Sequence, residues 1–280
     1  MACTIRVTTL VDDTAGSKGT QAEHGLSFWI ETDSLRVLFD TGQGGALWNN
    51  ARTLRIRLER TDAMVLSHGH YDHTGGLDRV LESAPDARVY AHPAAFEPKY
   101  KCDRNGSGSY IGAPAAARDT VLQHAGEWTR TTHPTEIGNG LFVTGPIPRM
   151  TEFEDTGGPF FLDRECRQPD LLLDDQAMFF ATPQGTVVLV GCAHSGIINT
   201  AQYIQQLTEN RRIHTIMGGV HLVSASRERL EQTAEALRKT GVAQLALAHC
   251  TGQAGKAALE KAFPGKCPLC ATGTYAEFTS

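Results

Sequence analysis

The sequence predicts an α+β chain built as a four-layer αββα sandwich, two β-sheets packed face to face with helices outside. Three observations predict it. Each half of the chain opens on strand-like patterns and closes on alternating strand and helix patterns. Several apolar runs end in histidine, which points to one shared edge where loops converge. A length of 280 residues at 41% hydrophobic is enough for one large domain or two modest ones, and the repeated strand logic favours a single domain over 1–280.

The elements follow in order. Ile5, Val7, Thr9 and Val11 alternate as a first strand over 4–11. Residues 12–25 are a glycine-bearing loop. Leu26–Glu31 and Leu35–Asp40 form a hairpin around Thr32-Asp33-Ser34, and Leu47–Leu58 suits an amphipathic helix. Ala63–Leu66 is a buried strand, residues 74–83 a helix, and Arg88–Ala91 a strand ending at His92-Pro93. Residues 97–135 read as an irregular insertion, and 145–170 as a second loop-rich passage. Lys99, Lys101 and Arg104 in the first are candidates to meet an anionic substrate. Between the two passages Leu141–Thr144 is a strand.

In the second half, 177–180 and 187–190 flank Pro183-Gln184-Gly185 as a hairpin. A helix over 197–208, a strand over 213–217, a helix over 226–239, a strand over 245–248, a helix over 254–262 and a strand near 274–278 complete the chain. His194, His221 and His249 each follow one of these strands.

Charge and cysteine usage narrow the class. With 26 basic and 31 acidic residues spread along the chain, net charge −5, there is no basic track for nucleic acid. Met1–Val7 lacks the basic start and apolar stretch of a signal peptide, and no run approaches the ~18 apolar residues of a membrane span. Seven scattered cysteines, an odd number, predict reduced thiols and a cytoplasmic setting. Cys267-Pro268-Leu269-Cys270 is a lone CxxC, too little for a metal or redox site by itself. The expected partner is an anionic small molecule, with no nucleic acid and no membrane; homo-oligomer formation stays open.

The most informative stretch is Ser67-His68-Gly69-His70-Tyr71-Asp72-His73-Thr74-Gly75-Gly76. It sets three histidines and a carboxylate within six positions at a strand-to-helix turn. His68 and His70, two apart, leave an extended segment on one side, and small Gly69 between them leaves room for a metal to approach. Asp72 and His73 follow after the turn. Four ligands so close together suit two neighbouring cations, each completed from elsewhere in the chain, and such a pair clamps attacking and leaving oxygens. Imidazole suits zinc, copper, iron or nickel, and carboxylate adds manganese.

His68-Gly69-His70-Tyr71-Asp72-His73 resembles the metal-binding signature of the metallo-β-lactamase superfamily. The resemblance implies the αββα fold, with Asp40 supporting the histidine turn by hydrogen bonding. The superfamily also brings a further histidine, a bridging aspartate and a last histidine. Here the bridging position holds Cys192, and the usual third-histidine position falls near Asp174-Asp175. The implied metal ligands are therefore His68, His70, Asp72, His73, His194 and His249, with Asp175 and Cys192 open as additions. His221 and Asp72 are the implied catalytic residues, His221 as proton carrier, although the roles of His221 and His249 can be exchanged. Glu23-His24-Gly25-Leu26-Ser27, Gly191–Ile197, Gly218–Leu222 and His249–Gly252 resemble the branch named after dihydropterin–ribofuranosylaminobenzene phosphate synthase.

The expected function is a metal-dependent hydrolase. One or two zinc ions, with manganese or iron as alternatives, would lower the pKa of bound water from 15.7 to about 7. A phosphoester or related anionic substrate fits the branch. The alternatives are a pterin pyrophosphate-dependent transferase, an iron redox enzyme and a non-catalytic ligand-sensing module.

Overall fold

The computed structural model describes residues 4–123 and 128–279; Met1–Cys3 of the N-terminal reading and 124–127 of the expected insertion lie outside the described residues. The strands are β1 (Thr4–Val11), β2 (Ser27–Glu31), β3 (Arg36–Phe39), β4 (Ala63–Val65), β5 (Arg88–Ala91), β6 (Tyr100–Cys102), β7 (Gly108–Tyr110), β8 (Trp128–Arg130), β9 (Thr135–Gly138), β10 (Leu141–Val143), β11 (Phe160–Phe161), β12 (Ala177–Thr182), β13 (Gly185–Val190), β14 (Ile213–Gly218), β15 (Gln244–Leu247) and β16 (Tyr275–Thr279). The helices are α1 (Leu47–Thr53), α2 (Tyr71–Thr74), α3 (Leu77–Ser83), α4 (Ala115–Gln123), α5 (Ile197–Leu207), α6 (Arg227–Thr240) and α7 (Gly252–Ala262).

One sheet runs β16-β1-β2-β3-β4-β5-β8 and a second β15-β14-β13-β12-β10-β9. Each joins an antiparallel part to a parallel part, β3-β4-β5-β8 in the first and β13-β14-β15 in the second. Period-2 alternation sorts side chains between layers. Phe28, Phe39 and Val65 of the first sheet meet Met178, Phe180, Val187 and Leu189 of the second between the sheets. Their strand neighbours Trp29, Leu38 and Met64 face outward onto Leu47, Leu77, Val80 and Leu81. On the other side Val188, Val190 and Ile216 pack on Ile197, Ile204, Leu237 and Leu259. The result is the expected four-layer αββα sandwich.

The departures have local causes. The helix expected over Leu47–Leu58 stops at Thr53, because Arg55 takes a left-handed φ of 60° and a short 3-10 turn follows at Leu58–Arg60. The stretch expected to be irregular carries β6, β7, α4 and β8. Two of these three-residue strands, with β11, make a third small sheet ordered β11-β6-β7. Such short, exposed strands hold too few residues to show alternation. Cys102 and Cys166 form a disulfide with Cα atoms 6.2 Å apart, which corrects the expectation of uniformly reduced thiols and removes its support for a cytoplasmic setting. Cys267 and Cys270 are free. Among the described residues no helix is long and apolar enough to cross a membrane.

Candidate metal centre

The parallel strands aim their carboxyl ends at one rim, where ligands bind in open α/β sheets. β3 ends at Asp40, β4 at the 67–73 turn, β13 at Cys192 and His194, β14 at His221 and β15 at His249. The frame of the rim is Asp40, fully buried, with φ 58°. Its Oδ1 accepts from Ser67 N at 2.7 Å, and its Oδ2 lies 2.6 Å from the Ser67 hydroxyl and 2.7 Å from His73 Nδ1. With Nδ1–H donated to Asp40, Nε2 of His73 keeps its lone pair for the rim. Asp40 thus supports the turn through hydrogen bonds, as expected.

Glycines in this frame are dictated by close backbone approach. A Cβ on Gly69 would stand 2.0 Å from the Ala95 carbonyl oxygen, and one on Gly191 the same distance from Ser67 Oγ. Gly69 therefore makes room for a neighbouring chain segment, where the sequence reading had it clear space for a metal. Its amide donates to Asp174 Oδ2 at 2.7 Å, and the other Asp174 oxygen accepts from Lys99 at 2.9 Å. Lys99 is 1% exposed and also donates to Asp170, so it is a buried structural cation and no surface contact for substrate. Burial alone would lower its pKa, but Asp174 and Asp170 outweigh that and raise it.

One set of imidazoles is His68, His70 and His194, all buried. Ser67 Oγ is 2.9 Å from His68 Nδ1, and His68 Nε2 is 2.8 Å from His70 Nδ1. His194 lies 4.8 Å from His68 and 4.9 Å from His70 between ring centroids. The Thr156 carbonyl holds His194 Nδ1 at 2.7 Å, and Phe160 covers His70, His194 and His221 at 5.1, 5.2 and 6.0 Å. Nε2 of both His70 and His194 is buried without a hydrogen-bond partner. Burial pulls His70 down to about 3, and burial together with neighbouring imidazoles holds His68 and His194 well below the ordinary value. All three are neutral at pH 7 and offer lone pairs.

The other set is Asp72, His73 and His249. Asp72 Oδ2 is 3.4 Å from His249 Nε2 and 3.9 Å from His73 Nε2. Behind it, Asp13 Oδ1 lies 2.6 Å from His249 Nδ1 and Oδ2 lies 3.0 Å from His24 Nδ1, while His24 Nε2 stands 3.3 Å from Asp72. His24, Asp13, His249 and Asp72 therefore close a ring of alternating imidazoles and carboxylates. Burial would raise the Asp72 pKa, but His73 and His249 bring it below the carboxylate range. Burial would lower His249, but the facing Cys250, Asp13 and Asp72 lift it well above its ordinary value.

Between the sets sits Cys192, 2% exposed, with Sγ 3.2 Å from His73 Nε2. Among the described residues, potential ligand atoms gather within 4.8 Å of one another as His68–Cys192–His194, His73–Cys192–His249, Cys192–His221–Cys250 and Asp13–His24–His249. His221, at φ 38°, stands 4.4 Å from His194 between centroids and lines a cleft of about 500 Å³ with Phe153, Gly157, Ser224 and Arg229. All six expected ligands and His221 thus converge at one rim. Asp175 stands apart: its Oδ2 accepts from Ser195 N at 2.8 Å, and burial pushes its pKa up to about 6. His92 caps the short turn at Pro93–Phe96 through Ala94 N. Asp13, Thr156 and Phe160 were missed by sequence reasoning. Only Asp13 left a signal, as the second of two carboxylates, Asp12-Asp13, that follow the first strand.

Comparison with known proteins agrees with this geometry. Residues 21–194 match the sequence profile described as Metallo-beta-lactamase superfamily. The chain belongs to that superfamily. It is 30% identical, over 89% of its own length and 88% of the relative's, to 7,8-dihydropterin-6-methyl-4-(beta-D-ribofuranosyl)-aminobenzene-5'-phosphate synthase of Methanocaldococcus jannaschii. The crystal structure of Tm1679, described as a metal-dependent hydrolase of the beta-lactamase superfamily, superposes with a TM-score of 0.81 at 33% identity, covering 99% of this chain and 100% of Tm1679. YhfI from Bacillus subtilis, a metallo-beta-lactamase fold protein, matches at TM-score 0.59 over 98% and 99% of the two chains, but at 12% identity it shows the fold alone.

The residues present fit the metals of a metallo-beta-lactamase fold. Neutral imidazoles, orphaned buried nitrogens and an anionic carboxylate are a donor set that a divalent cation satisfies.

Proposed function

We propose that this chain is a metal-dependent hydrolase of an anionic small molecule, a phosphoester or pyrophosphate. The observation that supports it is the convergence of two adjacent ligand sets on Cys192, beside a cleft of about 500 Å³. His68, His70 and His194 would hold one cation, and Asp72, His73 and His249 the second; zinc suits this set best, with manganese or iron as alternatives. When bound, the cations supply Lewis acidity and lower the pKa of coordinated water. His221, at the lip of the cleft, gives a proton to the leaving group. Asp40 and Asp13 keep His73 and His249 turned toward the rim. Phe160 shields the His68 side from bulk water, which strengthens electrostatics inside.

A second reading, transfer with pyrophosphate as leaving group, is favoured by the 30% identity to the archaeal synthase. In that case the same two ligand sets, once loaded, would position the pyrophosphate group while the amino nitrogen of an aminobenzene displaces it from the pterin methylene carbon and gives up its proton. The deciding measurement is metal content per chain in wild type, His194→Ala and His249→Ala, alongside a phosphoester screen and an assay for pyrophosphate-releasing condensation. Metal loss in both variants with hydrolysis in wild type supports the first reading. Condensation without hydrolysis replaces it with the second, and unchanged metal content in both variants overturns the ligand assignment.

A further inference from the structure

We propose that Cys192 Sγ is itself a metal ligand, a thiolate shared by both cations, so that sulfur stands where this superfamily is expected to bridge with a carboxylate. This inference rests on the metal-dependent reading above and deepens it.

A buried cysteine usually packs as a small hydrophobe among carbons. Cys192 does not have that surrounding. Its Sγ is 3.2 Å from His73 Nε2 and within 4.8 Å of ring nitrogens of His68 and His194 on one side and of His249 on the other. The Thr156 carbonyl occupies Nδ1 of His194, so the nitrogen left over is Nε2, which is buried and without a partner. Sulfur and nitrogen bound to one tetrahedral zinc, at about 2.3 and about 2.0–2.1 Å from it, stand about 3.6 Å apart. The 3.2 Å from Sγ to His73 Nε2 is within a few tenths of an ångström of that.

No carboxylate among the described residues takes the place between the two sets. Asp174 is committed to Gly69 N and Lys99, whereas Asp175 gives Oδ2 to Ser195 N and its unpartnered Oδ1 belongs to none of the ligand groups. Asp72 reaches the His73 and His249 side through Oδ2. Gly191, which precedes Cys192, cannot carry a side chain beside Ser67, so the backbone path that delivers Sγ to this point is fixed by packing. Only Cys192 is common to the His68–His194 and His73–His249 groups.

The chemistry follows from softness. Thiolate favours zinc and iron over manganese and magnesium, whereas a carboxylate at the same point favours the harder ions. Binding requires the thiol to lose its proton to solvent, so loading the centre releases one proton from Cys192.

The test uses the full chain loaded with cobalt(II) alone. Sulfur ligation gives an intense near-ultraviolet thiolate-to-cobalt absorption that oxygen and nitrogen ligands do not give. Wild type and Cys250→Ser should both show it, and Cys192→Ser and Cys192→Asp should lack it. Cys192→Asp keeps an anionic bridge and so tests the ligand without emptying the centre. In zinc–manganese competition it should move preference toward manganese by at least about ten-fold, the scale on which even supporting groups move metal affinity. Cobalt bound to wild type without the band, or a band that survives in Cys192→Ser, overturns the assignment while leaving the metal-dependent reading intact. A wild-type chain that binds no cobalt overturns both.

Discussion

The two halves of the centre are built on opposite electrostatic plans. The His68, His70 and His194 side is a set of neutral imidazoles sealed by Phe160 and anchored through a hydroxyl and a backbone carbonyl. The His73 and His249 side is threaded with carboxylates, Asp40 behind one ring, Asp13 behind the other and Asp72 between them. The first relies on desolvation to keep its lone pairs free. The second relies on anions to orient its rings, and those anions raise the pKa of His249. One rim thus carries two solutions to the same task, and the difference lies in which segments reach it. Loops of the second half and the small third sheet cover the first side, and the N-terminal loop backs the second.

Predictions that break or sharpen this contrast follow from the largest effect downward. His221 belongs to neither plan, so His221→Ala should reduce kcat by about 10²- to 10⁴-fold with metal content unchanged, read by steady-state kinetics beside elemental analysis. A parallel loss of metal would make His221 a ligand and redraw the division. Lys99→Ala strips the cation from Asp170 and Asp174, beneath the His70 side. It should cost about 3–5 kcal/mol of stability by denaturant unfolding, because two buried carboxylates lose their partner. A cost below 1 kcal/mol would mean that water already reaches this pair.

Asp13→Ala should weaken the cation on the His249 side by about 10- to 100-fold while the other cation stays, seen as biphasic metal release during chelator titration. Equal weakening of both would show that the two sides are not separate. The smallest effect is in the pH dependence of the metal-free chain, where the two plans have opposite signs. His70 is depressed to about 3, so the unfolded chain takes up a proton that the folded one refuses. Its contribution is complete above the unfolded value near 6.5 and is lost as pH falls toward 3. His249 is raised, so its contribution is complete below about 6.5 and is lost as pH climbs through its folded value. In thermal unfolding across pH, His70→Asn should flatten the acid limb and His249→Asn the alkaline one. Identical profiles for both variants would contradict the contrast.

Much of the centre was legible in the sequence because its residues fall where apolar runs end. His68, His194, His221 and His249 needed only strand ends, and the sheet order brought those ends together. Asp40 was legible for the same reason. Thr156 acts through its carbonyl, which any residue possesses, and Phe160 lies on a two-residue strand with no periodicity of its own. Lys99 was misread because the partners that bury it, Asp170 and Asp174, lie more than seventy positions away. Local pattern reports which face a side chain takes, but a charge paired across the fold leaves no such trace.

The disulfide between Cys102 and Cys166 joins β6 to the segment just beyond β11, which carries Phe160. Both long passages of the chain are thereby fastened into one canopy over the entrance. Widening that doorway for a bulkier molecule is consequently not a matter of trimming a single loop: evolution or an engineer would have to retailor both stretches in concert, and reducing the bond should slacken the canopy while leaving the histidines beneath it in place.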